Sequence, residues 1–327
     1  MRKGPVAGTD SIVGWGLKIF TNDMLSKIHA ATLDVMESTG LFMGSDEAVD
    51  ILEKTGCWVE KKRKIVRFPK HIVNEAISLS PSHVLLAARD STNDFMVGGK
   101  EIGFTTFGVG ITMEDMETGE VRETTKKDVE QIAMVSDALP NIDVITAPVT
   151  PREKPDTSQE FHMAEACFTY SSKHYHSDAE NGDHARKLIG MAAAITGGIE
   201  ELRRKPIISF CICPTSPLQL IRGACEVAIE AARNRIPLDV LSMAMAGASS
   251  PISISGTLVT HNAEVLAGIT LAQMTNAGTP CIYGSSTTTL DMKHATAVVG
   301  APELGMISAA VSEMANFYGL PSYVGGL

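Results

Sequence analysis

The 327-residue chain carries 28 Lys+Arg against 38 Asp+Glu, a formal charge of −10, and is 44% hydrophobic, 20% charged and 5% aromatic. That is enough apolar material for a large core, whereas the acidic balance excludes a nucleic-acid-binding face and no apolar run reaches the ~18 residues of a membrane span. Gly8, Asp10, Gly14 and Gly16 interrupt any signal-peptide core after Met1-Arg2-Lys3, and six cysteines without framework spacing read as reduced thiols of a cytoplasmic protein.

The first 140 residues read as a mixed α+β cap. Asn22 is the expected N-cap of a helix with Leu25, Ile28, Val35 and Met36 on one face, ended by Gly40. A second helix covers 45–55, capped by Ser45 and stopped at Gly56, and a third runs from Pro69 to just before Pro81. Short strands are expected at 84–88, 95–97 and 102–107. The runs 111–116 and 120–123 flank Thr118-Gly119 as a hairpin. Helix returns over 125–139, with Thr125 and Asp128 in capping-box spacing.

From residue 141 the pattern becomes strand, loop and helix, repeated to 327. Strands are expected at 142–148, 173–177, 206–213, 238–245, 280–285 and from 321 onward. Thr157 and Glu160 cap the first intervening helix, Asp183 opens the second, and Ser216-Pro217 opens the third. The fourth holds Val259, Ala263, Leu266, Thr270 and Met274 in register, and Pro302 leads the fifth. This is the cadence of parallel βα units. A doubly wound dinucleotide fold lacks its glycine-rich loop after the first strand, so the fold class expected is α/β, a (β/α)8 TIM-type barrel. Only five units and a sixth strand are present, so the barrel is incomplete and a C-terminal third is expected beyond residue 327.

Barrel chemistry sits at the C-terminal strand ends. Those ends carry His174 and His176, Cys211 and Cys213, and the polar run Gly284-Ser285-Ser286-Thr287-Thr288-Thr289. The Ser/Thr run is able to hydrogen-bond a small ligand or to cap a turn. The two i, i+2 pairs compose a Cys2His2 set only if their strands are neighbours. Their spacing matches no common zinc signature, so no metal is expected. His261 and Glu264, three apart on a helix, read as an acid/base or ligand-positioning pair or as a surface salt bridge. The 16 methionines read as core filling rather than as a corrinoid pocket.

Several long motifs together resemble one family, the trimethylamine:corrinoid methyltransferases. They are Cys213-Pro214-Thr215-Ser216-Pro217-Leu218, Leu241-Ser242-Met243-Ala244-Met245, the run from Gly256 to Leu266, Tyr283-Gly284-Ser285-Ser286-Thr287-Thr288-Thr289, Pro302-Glu303-Leu304-Gly305 and Asn316 to Gly325. The resemblance runs from about Phe20 to Leu327. It implies a (β/α)8 barrel that moves a methyl group from trimethylamine to the Co(I) corrinoid of a cognate corrinoid protein, in methanogenesis or a related anaerobic pathway. The corrinoid is thus supplied by a partner rather than bound directly. Methanogen-type members carry pyrrolysine, encoded by an in-frame UAG, soon after a Gly-Leu-Pro-Ser-Tyr-Val segment. Here Gly319-Leu320-Pro321-Ser322-Tyr323-Val324 is followed by Gly325-Gly326-Leu327, and the resemblance implies pyrrolysine directly after Leu327.

On this reading the site residues are His261 and Glu264 in a catalytic role and Tyr283, Ser285 and Thr287 in substrate binding. The expected protein acts on a small methylated amine, without nucleic acid or membrane, as a homo-oligomer when full length. Two alternatives accompany it. One is a relative without pyrrolysine that demethylates a quaternary amine such as glycine betaine. The other is a non-catalytic fragment that docks the corrinoid protein.

Overall fold

The computed structural model describes residues 16–108 and 110–325. The expectations that rest on Gly8, Asp10 and Gly14, and on pyrrolysine following Leu327, lie outside the described residues. Packing divides the described chain into two compact units. The first comprises residues 85–179 and 186–210, and the second comprises 16–84, 180–185 and 211–325.

The second unit opens with helices α1 (Asn22–Ser38), α2 (Asp46–Lys54) and α3 (Lys70–Leu79). The cap of α1 is Thr21 rather than Asn22, because the Thr21 hydroxyl accepts from the Met24 N–H at 3.3 Å. Gly40, at φ 77°, turns the chain out of α1 into the strand Leu41–Met43. That strand pairs antiparallel with Ile65–Arg67 and, on its other edge, parallel with Gln219–Leu220. The second pairing corrects the helix expected from Ser216. Leu218 has φ 58° and residues 219–220 extend along the cap strand, so the helix that follows begins only at Arg222.

In the first unit the expected hairpin forms, Thr112–Glu114 against Val121–Glu123. Helix α4 (Lys126–Ala138) starts on the expected capping box of Thr125 and Asp128. The segment expected as a strand at 102–107 instead lies beside the first barrel strand, making isolated bridges at Thr105 and Gly110. Thr106 Oγ1 donates to Thr146 O at 2.6 Å, so this segment covers a strand edge without forming a ladder of its own. Helix α5 (Gln159–Tyr170) follows a 3-10 turn, Asp156–Ser158, with Ser158 at its cap position. Thr157 therefore belongs to the turn that Pro155 initiates and does not cap the helix. Helices α6 (Gly182–Thr196) and α7 (Ile199–Arg204) come next. The sequence reading missed α7, whose six residues are too few to show a periodicity.

The strands of the repeating part are β1 (Val144–Thr146), β2 (His174–Asp178), β3 (Ile208–Ile212), β4 (Leu238–Ser242), β5 (Cys281–Ser285) and β6 (Ser322–Val324). They belong to one sheet in the order β6-β5-β4-β3-β2-β1, with β1–β2, β4–β5 and β5–β6 paired in parallel. Each strand neighbours the next in the chain, as the α/β barrel class requires. Between them run α8 (Arg222–Asn234), α9 (Ile254–Thr275) and α10 (Pro302–Tyr318). The loop after β5 contains an unforeseen hairpin, Thr289–Asp291 with Thr296–Val298.

Helix α9 organises the second unit. It is buried around nearly its whole circumference, packing on α1, α3, α8 and β4, which explains why its pattern is apolar rather than amphipathic. Gly268 lets β4 approach: a Cβ there would lie 2.7 Å from Val240 Cγ1 and 3.1 Å from Val240 Cγ2. Gly305, early in α10, has open space where its Cβ would stand. The two glycines therefore predict opposite outcomes for one substitution. Gly268→Ala is expected to destabilise the fold by about 1–3 kcal/mol through overpacking. Gly305→Ala is expected to stabilise it by about 0.5–1 kcal/mol through helix propensity. Urea midpoints of the two variants check both signs.

Candidate active site

Strand alternation decides which side chains of β4 and β5 meet the helices. Val240 packs against Gly268 of α9, Ser242 donates to Glu264 of α9, and the Tyr283 hydroxyl donates to Asn262 of α9. Positions 240, 242, 283 and 285 therefore face the helix layer, and Asp239, Leu241 and Gly284 face the opposite side, the barrel interior.

Glu264 is fully buried, and its carboxylate collects three donors. Ser216 Oγ donates to Oε2 at 2.7 Å, Ser242 Oγ donates to Oε2 at 2.6 Å, and Leu218 N donates to Oε1 at 2.9 Å. Burial pushes its pKa up, and the three hydrogen bonds oppose that shift. This one side chain ties the loop after β3 to the end of β4.

His261 is equally buried. Its Nε2 lies 3.1 Å from Gly284 O, which only an Nε2–H satisfies, so Nδ1 is the acceptor nitrogen and faces the Tyr283 hydroxyl at 3.4 Å. Burial lowers its pKa to about 4. Among the described residues no hydrogen bond joins His261 to Glu264, and zero exposure removes the surface-salt-bridge reading of the pair. Both act within the packed layer between α9 and the sheet.

Tyr283 donates to Asn262 Oδ1 at 2.7 Å, and burial raises its pKa well above the usual phenol value. The Asn262 amide in turn donates to Tyr318 at 2.7 Å and to Thr32 at 2.9 Å, and Tyr318 meets His29 Nδ1 at 2.9 Å. Ser285 and Thr287 are both buried. Ser285 Oγ accepts from Thr287 N at 3.1 Å, and Thr287 Oγ1 donates to Ser242 O at 3.2 Å, so these two hydroxyls hold the turn after β5. The structure thus gathers His261, Tyr283 and Asn262 into one network and places Glu264, Ser242, Ser285 and Thr287 around the ends of β4 and β5.

The sequence reading overlooked Asp239. It is a fully buried carboxylate on the interior-facing side of β4, and its oxygen occupies the place a side chain on Gly284 would take. The available signal was a single acidic residue inside the apolar run Leu238-Asp239-Val240-Leu241.

In the first unit, His174 Nδ1 lies 2.9 Å from Ala87 O, so it carries the proton there, and Nε2 accepts from Ser209 Oγ at 2.8 Å. Ser209 then accepts from His176 Nδ1 at 2.8 Å. Both nitrogens of His174 are thereby committed, and it offers no lone pair to a metal. Burial lowers His174 to about 3 and His176 to about 4.

Comparison with known proteins places this geometry in a family. A family model described as trimethylamine methyltransferase (MTTB) matches residues 14–327. Trimethylamine methyltransferase MttB of Desulfitobacterium hafniense is 46% identical over 320 residues, covering 98% of this chain and 64% of the relative. The protein of the same name from Methanosarcina thermophila is 44% identical over 326 residues, covering 98% and 68%. A glycine betaine methyltransferase of Desulfitobacterium hafniense is 33% identical over 312 residues, covering 94% and 64%. The chain spans about two thirds of the length of these relatives. The solved monomethylamine methyltransferase of Methanosarcina barkeri matches with a TM-score of 0.61 at 13% identity, covering 92% of this chain and 60% of that one. At that identity the likeness establishes the fold alone, a TIM-type barrel.

The three buried histidines set a pH dependence. The folded pKa values of His174, His176 and His261 lie near 3, 4 and 4, below the ordinary 6.5, so the unfolded chain binds more protons between pH 6.5 and 4. The stability they contribute is present above pH 6.5 and is lost as the pH falls through that window, at roughly 1.4 kcal/mol per pH unit for each histidine. Glu264 acts in the opposite sense, since protonating a buried carboxylate with a raised pKa relieves a cost. Urea midpoints at pH 7, 6 and 5 are expected to fall, with a shallower slope in His261→Gln.

Proposed function

The chain belongs to the trimethylamine methyltransferase family, and from that membership we propose that it is the amine-handling part of an enzyme that moves a methyl group from trimethylamine to the Co(I) corrinoid of a separate partner protein. The margin in identity between the relatives named for trimethylamine and the relative named for glycine betaine carries the choice of substrate. The relatives' greater length supports reading the chain as the N-terminal two thirds of the working protein. In this proposal the protein works in the cytoplasm, as a homo-oligomer when full length. No helix among the described residues is long and apolar enough to cross a membrane.

An amine is a poor leaving group, so transfer requires an activated carbon–nitrogen bond and a strong nucleophile. The nucleophile is the partner's Co(I) corrinoid, a substrate here: the methyl carbon of trimethylammonium bonds to cobalt, the C–N electron pair stays on nitrogen, and the nitrogen keeps its proton as dimethylamine leaves. A pyrrolysine following Leu327 would supply an electrophilic imine carbon to hold the amine. In this proposal such a residue follows β6, whose end is fastened where Gly325 N donates to Ser285 O at 2.8 Å beside the C-terminal end of β5.

The chain's own residues bind and orient. Asp239 places a carboxylate on the interior side of β4, where it favours a cationic nitrogen. Ser285 and Thr287 hold the turn after β5, and Tyr283 fastens that strand to α9 through Asn262. His261 and Glu264 hold α9 against β3, β4 and β5, so that the strand ends keep their positions as charge redistributes. The neutral state of His261 avoids repelling a cation. No resident metal belongs to this proposal.

The test compares the 327-residue chain with the product of a gene in which a UAG after codon 327 is read as pyrrolysine. Conversion of Co(I) to methyl-Co(III) on the partner protein is followed by visible absorbance, with trimethylamine or glycine betaine as donor. The longer product is expected to turn over trimethylamine, and the 327-residue chain alone is expected to be inactive. Preference for glycine betaine overturns the substrate assignment. Turnover by the shorter chain, or a stop other than UAG, overturns the reading as an N-terminal part.

A further inference from the structure

A cavity of about 390 Å³ lies within the first unit. Its place follows from two backbone hydrogen bonds. Ala87 N donates to Pro206 O at 3.1 Å, and Arg89 N donates to Ser172 O at 2.7 Å. Residues 87–89 therefore run beside the segments that enter β2 and β3, at the N-terminal ends of those strands. In barrels that end serves stability, and chemistry belongs to the other.

The floor of the cavity is apolar. Ala88 and Ile207 line it and are buried. Ile195, in the last turn of α6, lines it too but remains 45% exposed, so covering that side chain removes apolar surface from water. Thr196 beside it donates its hydroxyl to Ala192 O at 3.2 Å and brings no unspent donor.

The charged lining is positive in surplus. Glu201 is met from outside the cavity, since its Oε1 accepts from Arg204 at 3.1 Å. Arg89 Nε and Nη2 both donate to Ser171 O, at 3.0 and 2.7 Å, and Nη2 also reaches Thr169 O at 3.5 Å. Backbone carbonyls thus fix the plane of the guanidinium, and its Nη1 makes no hydrogen bond among the described residues. The Lys205 ammonium lines the same cavity and likewise makes no hydrogen bond there. Asp90 feels its charge, but that carboxylate accepts from Thr92 N at 3.0 Å and forms no ion pair with it. In a chain of net charge −10, one cavity therefore holds two cations without a carboxylate partner. A guanidinium held in advance loses little freedom on binding a planar carboxylate. An inorganic anion would satisfy the charges and leave the apolar floor wet.

We propose that this cavity binds short aliphatic monocarboxylates, with the carboxylate held by Arg89 and Lys205 and the hydrocarbon chain lying on Ala88, Ile195 and Ile207.

The test titrates the isotope-labelled 327-residue chain with sodium butyrate at constant ionic strength and follows backbone amide signals by NMR. Shifts are expected at residues 87–90, 195–198 and 205–208, with a dissociation constant of roughly millimolar order. Butyramide lacks the charge and inorganic phosphate lacks the apolar body, so each is expected to bind about tenfold more weakly. Lys205→Gln is expected to weaken butyrate binding by about tenfold, and Arg89→Gln by at least as much. Absence of shifts, or shifts centred elsewhere, overturns the site. Phosphate or butyramide binding as well as butyrate overturns the ligand class. Unchanged affinity in Lys205→Gln overturns the role of the cations. If Arg89→Gln does not fold, Lys205→Gln decides, because that ammonium makes no hydrogen bond among the described residues.

Discussion

A carboxylate removed from water has to be met by donors, and at Glu264 those donors come from parts of the chain that share no local structure. Ser216 and Leu218 approach from the loop after β3, and Ser242 approaches from the end of β4. Leaving any of them unmet costs about 1–3 kcal/mol, so the carboxylate selects the one arrangement that satisfies all three. With Glu264 fixed, the rotation of α9 is fixed too. His261, three residues earlier, then faces Gly284 O, and Gly268, four residues later, faces Val240. One helix stripe thus addresses β5, the loop after β3 and β4.

Asn262 shows what the adjacent stripe does. A rotation of about 100° from His261 brings its amide to Tyr318 at the end of α10 and to Thr32 in α1, while its carbonyl receives Tyr283 from β5. An amide is suited to this junction because it donates twice and accepts at once. Replacing it by a carboxylate or an aliphatic side chain would leave the hydroxyls of Tyr318 and Thr32 without their shared donor. The barrel strand, its covering helix and the cap helix are therefore registered by one polar group in an otherwise apolar interior, where each hydrogen bond is strong because water does not compete.

The repeating βα cadence was legible because its signals are local: apolar runs, Pro302 at a helix start, and the Thr125–Asp128 capping box. What escaped the sequence depends on distant partners. Residues 219–220 extend because Leu41–Met43 offers an edge, and residues 102–107 lie beside β1 because Thr146 receives Thr106. The site was half legible for the same reason. Spacing singled out His261, Glu264, Tyr283, Ser285 and Thr287, yet spacing reports only that two side chains share a face. Whether that face meets the helix layer or the barrel interior follows from which neighbour packs against it. Asp239 was missed because one acidic residue in an apolar strand has no periodicity to announce it.

The loop from Cys213 to Leu218 is consequently held at its two ends by unlike chemistry. Its far end is bound to the Glu264 carboxylate, which no redox reagent alters and which only acidification weakens. Its near end starts at Cys213, whose exposed sulfur stands 4.0 Å from Cys211. Between those two ends lie only Pro214 and Thr215. Those residues lie beside the C-terminal end of β3, the face on which barrels carry their chemistry.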